Sequence, residues 1–165
     1  MQRGWHIPSW SNDPDPKVKP INVRAESVMF KFGEQLREKR CLIPASGFYE
    51  WATVGGRKGA RHFAMKDGRL FAFAGLWDVW RGDGKPLLTC CLITTHANDL
   101  VSPVHDRMPV ILARESYAEW LDPETPEARL VCLLRPYPAD EMQLTEVGPA
   151  VNSPRNDGPE CLDAA

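Results

Sequence analysis

The sequence predicts an α+β fold in which antiparallel strands form a barrel-like or sandwich core flanked by a few short helices. Short apolar runs bounded by turn residues recur along the chain, as strands require. Helical spacing is sustained over one extended segment, residues 25–39. Eleven of the fifteen prolines fall in clusters around residues 8–20, 123–126, 136–138 and 149–159, confining long helices to the gaps.

Taken in order, residues 11–20 (SNDPDPKVKP) read as a surface loop. The run PINVRAES is strand-like, so Asn22 and Arg24 share a face. In the helix predicted over 25–39, Val28, Phe32 and Leu36 mark the apolar stripe and basic residues mark its end. Gly33 weakens that helix by about 1 kcal/mol. CLIPAS, GFYEW, HFAMK, LFAFAGLW, LLTCCLITT and MPVILA then read as strands. Residues 54–59 and 81–84 are glycine-rich hairpin connections. Residues 114–121 and 125–134 are short helices, QLTEV is a last strand, and the tail is loop-rich.

The 165 residues (18.6 kDa) suit one domain that buries about two-thirds of its unfolded surface and needs no metal or disulfide to hold a core. With 43% hydrophobic and 25% charged residues, wholesale disorder is excluded. No apolar run approaches the ~18 residues of a membrane span, and the start lacks a secretory pattern, so a cytoplasmic protein is expected. The net charge of −2 argues against a generic nucleic-acid coat. Its distribution is uneven: residues 1–61 carry a net +5 and residues 62–165 a net −7, so a basic portion can still meet phosphate. A chance bias of solvated faces would give the same count. The five cysteines are odd in number and contain no CxxC pair, so neither zinc nor another cofactor is implied and reduced core thiols are expected. Cys90 and Cys91, adjacent on a strand, should point to opposite faces.

The motifs GxxxxGK[ST], GxGxxG, GxSxG and HExxH are absent, which removes the easy nucleotide-binding, serine-hydrolase and zinc-protease readings. Three segments are odd for pure structure. Asn22 and Arg24 share one strand face; Glu50 interrupts the apolar GFYEW run; His105, Asp106 and Arg107 precede a buried strand. A carboxylate desolvated in a pocket rises in pKa toward acid–base use, and histidine titrates near neutrality. Plainer roles remain open: a solvent-facing Glu50, a structural His105, a backbone-capping Asn22 and an ion-paired Arg24. The six tryptophans fit a core better than a base-stacking platform.

The ordered set WHIPSW, INVRAESV, RCLIPASGFYEW, FAFAGLW, LITTHAND, VHDRMPVIL and AVNSPRNDGPE resembles the SRAP family (SOS response-associated peptidase domain, the abasic-site processing proteins), from Trp5 to Glu160. The resemblance implies a single SRAP-like domain over 1–165 that acts in the DNA damage (SOS) response. It implies binding of single-stranded DNA with abasic sites and covalent capture of the sugar aldehyde by an N-terminal cysteine, as a thiazolidine. Asn22 would orient the sugar, Glu50 would move protons, and His105 would serve as general acid or base. Arg24, Arg107 and Thr94 would hold phosphates or position the strand, with Trp10 beside the DNA-binding groove. No membrane partner is implied, and a monomer is expected.

Family members begin Met-Cys-Gly-Arg, whereas this chain begins MQRGWHIPSW with Gln2, and none of its five cysteines matches the nucleophile. The domain is therefore expected to be N-terminally incomplete, through a misassigned start or a fragment. Gene decay and a sensor that never crosslinks are the competing accounts; the intact later motifs favour the first. Whether the chain as given is an enzyme stays open at this point. The alternatives are a non-catalytic module for single-stranded or damaged DNA, and a peptidase acting on protein.

Overall fold

The structure, a computed structural model, describes residues 21–54, 56–81 and 84–165. In chain order these form β1 (Asn22–Arg24), α1 (Ala25–Glu38), β2 (Arg40–Ala45), β3 (Gly47–Val54), β4 (Arg57–Met65), β5 (Phe71–Trp80), β6 (Leu87–His96), β7 (Arg107–Pro109), β8 (Ile111–Leu112), α2 (Tyr117–Leu121), α3 (Glu127–Leu133) and β9 (Met142–Val147), with short 3-10 turns between. The fold is α+β, as the sequence predicts. The described residues divide into two compact units: 21–44, 72–95 and 109–137 in the first, 45–71, 96–108 and 138–165 in the second.

In the first unit the sheet runs β1-β6-β5-β2, with β8 beside β5. β5 and β6 are antiparallel, from Gly75 opposite Leu92 to Trp80 opposite Leu87. β1 departs from the antiparallel expectation. It lies parallel to β6, with Asn22 level with Leu92 and Arg24 level with Thr94. A three-residue edge pairing forgoes little of the antiparallel advantage, and α1 follows directly to carry the chain away. Burial alternates along β6, so Cys91 is buried in the core while Cys90 faces the other way, as the strand period requires. Val28 and Leu36 of α1 pack with Ala74, Leu76, Ile93, Trp120 and Leu130.

The predicted helix forms, but Phe32 breaks it (φ −138°, ψ 35°). The break adjoins Gly33, which contributes no side-chain packing and favours the unfolded backbone. The end of α1 is held by Arg40, which is buried. Its Nη1 donates to the carbonyls of Leu36 and Arg37 at 2.5 Å each, its Nε to that of Trp120 at 2.5 Å, and its Nη2 to that of Asp122 at 2.6 Å. Helix-terminal carbonyls without an intrahelical partner thus find one guanidinium. The segment predicted as one helix over 114–121 splits into a 3-10 turn and α2.

The second unit is built on the antiparallel sheet β3-β4-β9. Val54 pairs with Arg57 across a two-residue turn whose Gly56 has φ +78°, the left-handed conformation such a hairpin needs. One face of the sheet carries Phe48 and Glu50 of β3, Arg61, Phe63 and Met65 of β4, and Met142, Leu144 and Glu146 of β9. The Phe48 and Phe63 rings stack there at 5.0 Å. On the opposite face the Tyr49 hydroxyl donates to the Cys161 carbonyl (3.3 Å) and Trp51 Nε1–H donates to Asn152 Oδ1 (2.7 Å), so the C-terminal turns cover it. Among the described residues no helix is long and apolar enough to cross a membrane.

Candidate active site

Strand parity puts Glu50 on the same face as Phe63 and Met65, which are fully buried. The fold therefore does not give Glu50 the solvent-facing role left open by the sequence; the residue is half-buried. Among the described residues it makes no side-chain hydrogen bond or ion pair. Burial pushes its carboxyl above the usual carboxylate range, and the charge of His105 pulls it partly back.

His105 reaches this neighbourhood from the loop 97–106. The Asn98 side chain organises the start of the loop, accepting from the backbone N–H of Leu100 (3.1 Å) and Val101 (3.0 Å) and donating to Met142 Sδ (3.4 Å). The His105 N–H donates to the Val101 carbonyl at 3.0 Å, closing a tight turn. The imidazole, 45% exposed, accepts from the Arg107 N–H at Nδ1 (2.9 Å), which leaves the proton of the neutral ring on Nε2. The charged ring has acceptors ready for its Nδ1–H in the Arg107 carbonyl (3.2 Å) and Asp106 Oδ1 (3.3 Å). Protonating Nδ1 would forfeit the bond from the Arg107 N–H, so the backbone favours the neutral ring with its proton on Nε2.

The structure brings Glu50 and His105 together in the second unit, with Arg107 beside His105. Asn22 and Arg24 lie in the first unit, exposed on the same face of β1, with Val23 buried between them. Thr94 sits level with Arg24 on β6, where its hydroxyl donates to the Val23 carbonyl at 3.5 Å. Trp10 and Gln2 fall outside the described residues.

Sequence reasoning overlooked Arg61. It stands directly across from Glu50 in the β3–β4 register, yet its Nη2 pairs with Glu146 Oε1 at 2.7 Å. Its signal was legible in RHFAM, where a charged residue shares parity with inward-facing Phe63 and Met65. In the first unit, Cys41, Leu42, Ile43, Pro44, Trp77, Leu88, Thr89 and Cys90 line a cavity of about 430 Å³ that none of the candidate residues lines. Burial pushes the Cys41 thiol up to about 12, so it is no thiolate nucleophile at neutral pH.

The Glu50 shift has a stability consequence. A folded-state pKa above the unfolded value means that the fold favours the protonated carboxyl. The penalty is absent at acid pH, grows as pH rises through the unfolded value, and is complete above the folded one. Glu50→Gln should therefore raise the melting temperature at pH 7.5 and lose that advantage at pH 3.5. Thermal melts at the two pH values check this; equal melting temperatures for both proteins at pH 7.5 would contradict it.

Known proteins resemble the chain across most of its length. The family model of the SOS response associated peptidase (SRAP) matches residues 2–154. The abasic site processing protein YoqW of Bacillus subtilis is 45% identical over 163 residues, covering 96% of this chain and 73% of its own. The abasic site processing protein HMCES of Gallus gallus is 36% identical over 184 residues, covering 94% of this chain and 54% of its own. A solved structure of a Bacteroides thetaiotaomicron protein matches with a TM-score of 0.81 and 31% identity, over 87% of this chain and 65% of that one. The chain thus spans about half the length of HMCES and just under two thirds of that solved protein.

Proposed function

Since the chain belongs to the SOS response associated peptidase (SRAP) family, we propose that it processes abasic sites in single-stranded DNA by a covalent reaction at the sugar aldehyde. The observation that carries this reading is a half-buried carboxyl on the sheet face of Phe63 and Met65, its pKa raised by burial, beside a histidine whose Nδ1 is fixed by the Arg107 N–H. An abasic sugar is a cyclic hemiacetal that masks an aldehyde. His105 exchanges a proton with the ring oxygen as the ring opens. A lysine side chain or the terminal amine then adds to C1′, and Glu50 supplies the proton with which the hydroxyl of the carbinolamine leaves as water, giving an imine. Closing a five-membered ring would take a thiol adjacent to that amine, adding to the imine carbon while the nitrogen takes up a proton, and Gln2 does not supply one.

Asn22 orients the sugar, Arg24, Thr94 and Arg107 position the phosphates, and Trp10 serves the strand as an aromatic contact. The net +5 over residues 1–61 favours a polyanion. The reaction belongs in the cytoplasm, where the five free cysteines stay reduced.

The test compares a single-stranded oligonucleotide carrying one abasic site with its intact counterpart. The 165-residue protein should bind the abasic strand more tightly and form an imine that borohydride traps on a denaturing gel. Equal affinity for both strands and no trapped product would overturn the proposal. A salt titration probes the hold on the phosphates. Arg24→Ala and Arg107→Ala should each weaken binding and reduce the slope of log K against log salt by about 0.7 for each phosphate no longer neutralised. An unchanged slope would remove that residue from the interface.

A further inference from the structure

The row Glu50–Arg61–Glu146 runs across three strands on one face of the second unit's sheet. Residues directly opposite on neighbouring strands have Cβ atoms about 4.5–5.5 Å apart, and opposite charges so placed attract. Arg61 therefore has two carboxylates available, one on each side, and it takes only one. Its Nη2 lies 2.7 Å from Glu146 Oε1, and its Nη1 donates to the Ala60 carbonyl at 3.2 Å. Space for this arrangement comes from Gly59, where a Cβ would stand 3.0 Å from Arg61 Nη1. The Arg61 side chain is 11% exposed and the Glu146 side chain 62%, so the anchor is reachable from solvent while the cation it holds is not. Glu50 is left with His105 as its charged neighbour.

We propose that Glu146 is a positioning residue: it holds the Arg61 guanidinium on the β9 side of β4 and so keeps it from pairing with Glu50. The inference deepens the proton-transfer role proposed for Glu50, on which its consequence for the reaction rests. A carboxylate locked to a guanidinium gives up and takes up protons poorly near neutral pH, because the cation favours the ionised form. One left unpaired on a partly desolvated face exchanges protons more readily. The groups that bear on Glu50 are Arg61 from β4, with Glu146 behind it on β9, and His105 from the loop 97–106, with Asp106 and Arg107 at its side.

The experiment titrates the Glu50 carboxyl by carbon-13 NMR in the full chain, in the wild type, Glu146→Gln, Arg61→Gln and the double variant. Glu146→Gln is nearly isosteric at an exposed position, so folding is retained. Freed of its anchor, Arg61 should turn to Glu50 and lower the midpoint of its titration by about one pH unit or more. Arg61→Gln and the double variant should both stay close to the wild type, because the effect needs the guanidinium. An unmoved midpoint in Glu146→Gln, or a shift that persists in the double variant, would overturn the proposal. The pH profile of imine formation on the abasic oligonucleotide supplies the second reading. If the Glu50 midpoint and the profile both move down, the positioning role and the role of Glu50 stand together. If the midpoint moves and the profile does not, Glu146 still positions Arg61, and it is the proton-transfer role of Glu50 that fails.

Discussion

Glu50→Gln should leave binding of single-stranded abasic DNA nearly unchanged while slowing imine formation about 10²- to 10⁴-fold, the range that general acid–base catalysis contributes. The substitution keeps the volume and one carbonyl oxygen but removes the titrating proton. Because Glu50 makes no ion pair among the described residues, its loss leaves no orphaned partner there, and the effect should be confined to the chemical step. Binding by fluorescence anisotropy and trapping by borohydride read the two quantities separately. A variant that retains full reactivity would strip Glu50 of its role. A protein that binds abasic strands equally well with either residue, and reacts in neither form, would be a non-catalytic damaged-DNA module.

Arg40→Met should cost roughly 4 kcal/mol of stability, a large fraction of what a domain of this size possesses. The guanidinium donates to four backbone carbonyls, two at the end of α1 and two from the region of α2. Methionine fills much of the volume and satisfies none of them. A buried acceptor left without a donor costs about 1–3 kcal/mol, and polar relaxation recovers part of the sum. Arg40→Lys should lose nearly as much, because an ammonium is a single point of donors and cannot reproduce the planar fork. Urea denaturation of the three proteins checks the ordering. A lysine variant with wild-type stability would show that charge near the helix ends, rather than the fork, holds the two helices.

The elements most legible in the sequence are those fixed by local rules. Alternation gave the strand faces, so the division of Cys90 from Cys91 and the shared face of Asn22 and Arg24 followed from parity alone. The glycine pair at the β3–β4 turn announced its hairpin in the same way. The parallel seating of β1 was not legible, because it depends on which edge of the sheet remains free once β5 and β6 have paired. The orientation of Glu50 was also open: its parity with Phe48 is plain, but which face of β3 the C-terminal turns cover is a tertiary matter. Arg61 went unnoticed because its meaning lies in a register, opposite Glu50 on one side and Glu146 on the other, and registers are tertiary facts.

The chain passes between its two units repeatedly, each unit being assembled from separated stretches of the sequence. During synthesis this imposes an order. Glu50 emerges early, but β4 has only one neighbour until β9 (Met142–Val147) has left the ribosome, and the first unit waits for α3 (Glu127–Leu133). Until then the β3–β4 hairpin presents the open edge of β4 and the apolar face of Phe63 and Met65, the kind of surface that chaperones cover and nascent chains aggregate through. A nascent chain stalled before residue 142 should be recognised as unfinished rather than retained as a smaller working protein, so the reactivity proposed for Glu50 would be acquired only when β9 docks.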